Sequence, residues 1–187
     1  MNKTLKILII SDIFVFSGFG LIGPILAIFI KDNLIGGTIF AAGLASTIFI
    51  LTHALLQMLF SHKFNPEDRL WMLRLGTLII AVVPFGYIFA TSIYHLYFVQ
   101  FIYGVGAAFA YPSWASLFTS HLETGRRGFQ WSVYSSSVGI GTAITAVVGA
   151  WLSEKISFHI VFLIAGFFAV GGLLLLMKLH KNILKKK

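Results

Sequence analysis

Asp12 stands where an acid is costly. It lies within an apolar stretch, Leu5 to Ile30, and roughly 20 apolar residues suffice to cross a bilayer. An ionisable side chain inside a spanning helix costs about 2.5–3.5 kcal/mol on insertion scales and marks a functional candidate. Removal from water disfavours the charged form of a carboxyl. The chemistry open to Asp12 is therefore reversible protonation or the capture of a cation. A second titratable group, His53, sits in the next apolar stretch. Around both lie aromatic and polar residues at helical spacing. Ser46, Phe49, His53, Gln57 and Phe60 share one stripe. Gln100, Tyr103, Ala107, Tyr111 and Trp114 share another, opposite Phe98, Phe101, Ile102, Val105 and Phe109, which suit lipid. A third holds Trp131, Tyr134, Ser135, Val138, Thr142, Thr145 and Gly149. At 1.5 Å per residue, Asp12, His53, Trp114 and Tyr134 fall about 6–11 Å to one side of their span centres. They can line one pocket.

The elements that position these residues follow from hydropathy. Six apolar spans run over about 5–30, 38–60, 71–91, 95–119, 129–151 and 156–178. The 187 residues are 58% hydrophobic and 11% charged, with mean hydropathy +0.91. Soluble domains carry about 25% charged residues, so the expectation is an all-α membrane protein. The net charge of +8 does not point to nucleic acid, because the basic residues sit between apolar runs and at the tail. Of 14 Lys and Arg, only Lys31 and Lys155 fall in one of the two sets of connections. The positive-inside rule then places both termini in the cytoplasm, as an even number of spans requires. The first run is too long for a cleaved signal. No cysteine is present, which excludes disulfides and thiolate metal sites.

Two rows of small residues have different meanings. Gly18-Phe-Gly20-Leu-Ile-Gly23 matches a dinucleotide fingerprint, but that motif needs a preceding strand, and this one lies inside a span. Gly141, Thr145 and Gly149 read as a close-packing row. No metalloprotease, hydrolase or phosphate-loop motif occurs, so we expect no enzyme, no metal and no cofactor. The third span has little polarity beyond Tyr87 and the sixth has almost none. Spans 1, 2, 4 and 5 thus have polar faces to hide. Shifting the first span by 88 positions aligns Leu8 with Leu96, Gly18 with Gly106, Pro24 with Pro112, Ala27 with Ala115, and Asp12 with Gln100. The first and fourth spans run in opposite directions, which suits an inverted repeat of about 5–91 and 95–178 within one domain, 1–187.

In sum of its motifs the chain resembles the major facilitator superfamily. The stretch GFGLIGPIL resembles the first helix of its drug and tetracycline antiporters, and Leu96, Gly104, Gly106, Ala107 and Ala108 fit its fourth. Pro112, then Thr124-Gly125-Arg126-Arg127-Gly128, is similar to the end of that helix and the basic loop after it. The signature loop between helices 2 and 3 departs: Ser61, Asn65 and Asp68 replace its glycine, aspartate and second glycine, and only Arg69 fits. The fourth-helix arginine position is Gln100, the fifth-helix Gly-Pro is Thr145-Ala146, and the first-helix acid slot is Val15, one turn from Asp12.

The resemblance implies one six-helix half with 3+3 inverted repeats, in a family whose members have two halves. It implies a transporter of a small organic solute in the cell membrane, inner or plasma. One half would leave its polar faces in lipid, so a parallel homodimer is expected, with a cavity on its two-fold and alternating access. Phe16, Gln100, Tyr103, Tyr111, Trp114, Trp131, Tyr134 and Ser135 are the expected solute contacts. Asp12 and His53 are the expected proton-coupling groups. Partners are thus a second copy, the solute and the bilayer, and no nucleic acid. The rival is a non-transporting half: a truncated N-terminal domain or an assembly partner of another membrane protein.

Overall fold

The computed structural model describes residues 1–65 and 70–179. Glu67, Asp68 and Arg69 of the signature loop, and the basic tail from His180 onward, lie outside the described residues. Among the described residues there are seven helices and no strands: α1 (Lys3–Ile22), α2 (Leu26–Asn33), α3 (Ile39–Phe64), α4 (Leu70–Ile88), α5 (Ile93–Ser120), α6 (Arg127–Lys155) and α7 (Phe158–Met177). All but α2 are long and apolar enough to cross a bilayer.

The expected first span is divided. α1 ends at Ile22, Gly23 donates back to the Phe19 carbonyl at 2.9 Å, and α2 restarts at Leu26. Pro24 between them lacks the N–H that would continue the ladder and crowds the preceding turn. α4 and α5 instead run through Pro84 and Pro112, so the fourth span extends past its proline to Ser120. The starts of α1 and α3 carry side-chain caps. Asn2 accepts from the Thr4 amide at 3.2 Å and Thr38 from Ala41 at 3.0 Å, each satisfying an amide with no partner inside its helix.

The helices form one arc. α1 packs on α6 and α7, α5 packs on α3 and α4, and α4 meets α7, giving the order α3–α5–α4–α7–α1–α6. Small residues set the spacing. A Cβ on Gly149 would collide with the Leu21 backbone, and one on Gly76 with the backbones of Gly106 and Ala110. In lipid, where hydrophobic association of helices is weak, such backbone approach is a principal source of adhesion. The row Gly141, Thr145 and Gly149 therefore lies along α1, where Gly141 meets Ser17 and Thr145 meets Gly20. Two apolar cores divide the arc. One, at the end bearing the α2–α3 and α4–α5 connections, includes Ile25, Phe29, Ile30, Ala45, Tyr87 and Phe162. The other, at the end bearing the N-terminus, includes Leu5, Leu8, Leu73, Trp114, Phe118 and Leu176. At that end the Arg74 guanidinium donates to the carbonyls of Leu176, Met177 and Leu179, pinning the start of α4 to the end of α7. A cation at a helix C-terminus also complements its dipole.

The flanks differ from the middle. α6 buries only Gln130 and Gly149 along its length, and α3 only Ala41, Ala42 and Ala45. Most of their surface, including Ser46, Ser132, Ser135 and Ser136, is exposed in the single chain.

Candidate functional site

A cavity of about 310 Å³ lies between α1 and α5, towards the N-terminal end of the bundle. α1 contributes Ser11, Asp12, Val15, Phe16 and Phe19, and α5 contributes Tyr103, Ala107, Ala110, Tyr111 and Trp114. Phe49 and His53 come from α3. Leu73, Thr77 and Ile80 of α4, with Leu176 of α7, complete the lining. Each set falls at helical spacing along one face, which is why short runs of sequence supply it.

The walls are mainly aromatic. Tyr103 is sandwiched by Phe19 at 4.6 Å and Phe49 at 4.1 Å, ring centre to ring centre, with near-parallel planes. His53 continues this stack from Phe49 at 6.0 Å and meets Tyr111 edge-on at 5.9 Å. Trp114 is stacked on Phe118 at 4.7 Å and lies 4.7 Å from Tyr134. Polar groups are few, and several are already engaged. Ser11 donates to the Gly172 carbonyl at 2.8 Å and Thr77 to Leu73 at 2.8 Å. Among the described residues, His53 Nε2 and Trp114 Nε1 are buried with no hydrogen-bond partner. No lysine or arginine among the described residues lines the cavity.

Among the described residues, Asp12 is the one acid on this wall. The Tyr134 hydroxyl donates to its Oδ2 at 2.7 Å, across the α1–α6 crossing. The depth argument therefore brings Asp12, His53, Trp114 and Tyr134 together. Of the residues expected from sequence, Phe16, Tyr103, Tyr111, Trp114, Asp12 and His53 line the cavity. Tyr134 reaches it through Asp12. Trp131 packs edge-on against Phe118 and Tyr134 and is 48% exposed, and Ser135 is exposed on α6. Gln100 is outside the lining; 3% exposed, it accepts from the Tyr87 hydroxyl at 3.4 Å between α5 and α4. Phe19 and Phe49 are lining residues that sequence reasoning did not single out as contacts, although Phe19 shares a face with Asp12 and Phe49 a stripe with His53. Among the described residues, no group of three metal-ligating side chains converges.

A cavity with aromatic walls and, among the described residues, a single acid, set among six apolar helices, suits a membrane protein. The sequence profile of the Major Facilitator Superfamily matches residues 8–186. The chain belongs to this superfamily. It is 27% identical over 150 residues to the multi-drug resistance efflux pump PmrA of Streptococcus pneumoniae, covering 79% of this chain and 37% of that one. It is 23% identical over 187 residues to an MFS-type transporter of Methanocaldococcus jannaschii, covering 100% of this chain and 48% of that one. It is 30% identical over 138 residues to the probable sulfoacetate transporter SauU of Cupriavidus necator, covering 71% and 31%. The chain thus spans less than half the length of these relatives. With six apolar helices and this membership, it is an integral membrane protein.

Proposed function

We propose that this major-facilitator chain transports a small organic solute by alternating access, coupled to protons, as a parallel homodimer. The observation that carries the reading is a single carboxylate, Asp12, set into an aromatic-walled cavity that no lysine or arginine lines among the described residues. Aromatic faces attract cations, more so when desolvated, and a carboxylate adds the opposite charge. A sugar would need many free hydrogen-bonding groups, and Ser11 and Thr77 are already engaged. The solute class favoured is therefore an organic cation with an apolar body. Phe16, Tyr103, Tyr111 and Trp114 are proposed contacts, Asp12 the coupling group, and His53 its neighbour. Trp131 and Ser135 join the site from α6, and Gln100 is assigned to packing.

The dimer follows from the flanks. Polar stretches of α3 and α6 are uncovered in the single chain, and polar groups facing lipid are costly. A second copy related by a two-fold along the membrane normal covers them and encloses the cavity mouth. Within the chain, the packing order reads the same when helices of 5–91 are exchanged for those of 95–178, which supports the 3+3 inverted repeat. The bias of basic residues supports cytoplasmic termini. Cysteines at Asn33 should then label from outside intact cells, and those at Thr124 should not.

The test is reconstitution in liposomes with a pH gradient. An aromatic quaternary ammonium probe should be moved and should raise the melting temperature, whereas a neutral sugar should do neither. A Tyr111→Cys chain should cross-link to its copy more readily than Phe98→Cys on the opposite face. Protein that moves no solute and is monomeric would favour the non-transporting reading.

A further inference from the structure

Tyr134 belongs to none of the cavity walls, yet its hydroxyl is 2.7 Å from Asp12 Oδ2. It is the one protein group that hydrogen-bonds this carboxylate among the described residues. A carboxylate has about four acceptor sites, so most of its capacity is left for a ligand. The other titratable groups on the same cavity are His53 of α3 and Tyr103 and Tyr111 of α5, while α4 and α7 contribute none.

The helix that carries Tyr134 is anchored to α1. Below it on α6, Gly141, Thr145 and Gly149 dock on α1 at Ser17, Gly20 and Leu21. Its ring lies 4.7 Å from Trp114, 5.0 Å from Phe118 and 5.7 Å from Trp131. The hydroxyl thus meets the acid while the ring meets the aromatic wall. A change at the carboxylate is passed to Trp114 through one side chain.

We propose that Tyr134 is a positioning residue that holds Asp12 and signals its occupancy to the aromatic wall. It rests on the reading of Asp12 as the site of cation and proton exchange. With the carboxylate empty, the Tyr134 hydroxyl donates to it and fixes its orientation. When a solute cation or a proton occupies the carboxylate, the acceptor is weakened, the hydroxyl turns away and the ring shifts against Trp114. The proton on the tyrosine oxygen stays there throughout. Tyr134 orients, and does not carry, the coupling proton.

The test combines infrared difference spectra with transport kinetics on the full chain in liposomes, using an aromatic quaternary ammonium probe. In the parent, adding probe should perturb a carboxylate band and a tyrosine C–O band together. Tyr134→Phe keeps the ring and should lose the tyrosine change that accompanies the carboxylate band, retain the carboxylate signal, and lower maximal transport about tenfold with less than a threefold change in half-saturation. Tyr111→Phe, on the same cavity, should keep that accompanying change. A tyrosine signal undiminished in Tyr134→Phe, or a Tyr134→Phe protein with parental rate, would overturn the inference. Asp12→Asn separates the two levels. If it no longer accumulates the probe while Tyr134→Phe behaves as the parent, only the role of Tyr134 fails. If Asp12→Asn accumulates the probe like the parent, the reading of Asp12 beneath it fails.

Discussion

Two tyrosines in this bundle each donate to a polar side chain on another helix, and their surroundings give the bonds different uses. Tyr134 reaches Asp12 at 2.7 Å from the uncovered flank α6, beside the cavity. Tyr87 reaches Gln100 at 3.4 Å inside the packed middle of the arc, with both side chains almost fully buried. One acceptor can change charge and opens on a cleft; the other is a neutral amide sealed by apolar neighbours. A polar residue inside a membrane bundle is thus not by itself a site. What distinguishes the two is access, together with a group able to gain or lose a proton.

The comparison breaks most completely where the flank is detached. Gly149→Leu forces a side chain into the Leu21 backbone, and overpacking costs about 1–3 kcal/mol, occasionally more. It should sit at or above the top of that range, pull α6 from α1, separate Tyr134 from Asp12 and abolish transport. Gly139→Leu, where nothing lies within 4 Å, should be close to neutral. Thermal unfolding in detergent compares the two. Next in size is Gln100→Leu, which leaves the buried Tyr87 hydroxyl without its acceptor, a loss of about 1–3 kcal/mol. Adding Tyr87→Phe removes the orphan and should restore most of the stability, with transport close to parental in both variants. A Gln100→Leu chain that folds well but loses solute affinity would instead make this pair part of the site.

Tyr134→Phe should be milder for stability, about 1 kcal/mol or less, since net hydrogen-bond contributions are small and its ring contacts remain. Its cost should appear in transport. The smallest effect belongs to an exposed pair. The Met1 amino group lies 2.9 Å from Glu123 and holds that carboxyl below its ordinary range, chiefly by hydrogen bonding. A lowered folded-state value means the contribution is present above the unfolded value and is lost as pH falls through the lowered one. Glu123→Gln should remove a faint acid-side slope from stability-versus-pH curves by slightly lowering stability at neutral pH, with no change below the lowered value.

These contrasts were unequally legible in the sequence. Hydropathy alone locates the six spans, because a helix must satisfy its own backbone in lipid. The break at Gly23–Pro24 is not legible from residue type alone, since Pro84 and Pro112 lie inside continuous helices. Depth counted along the helices brings Asp12, His53, Trp114 and Tyr134 to one level, since rise per residue is fixed. Periodicity gives each helix a face but not the neighbour that covers it. Gln100 shares a stripe with Tyr103 and Trp114, yet the bulk of Tyr87 on α4 closes over it. Phe19 and Phe49 are not among the expected contacts for the converse reason: an apolar ring on a helix face looks the same whether it packs on a neighbour or bounds a cavity. The order of helices around the arc is set by small-residue contacts between distant segments, such as Gly149 with Leu21, and no one-dimensional pattern encodes it.

The most direct test is accumulation of an aromatic quaternary ammonium probe by liposomes carrying the Asp12→Asn chain under an imposed pH gradient. Asparagine keeps the shape and can accept from Tyr134 but cannot titrate. The account predicts an intact dimer that no longer concentrates the probe, while exchange down its gradient persists. Accumulation equal to the parent, with the same dependence on the pH gradient, would contradict it.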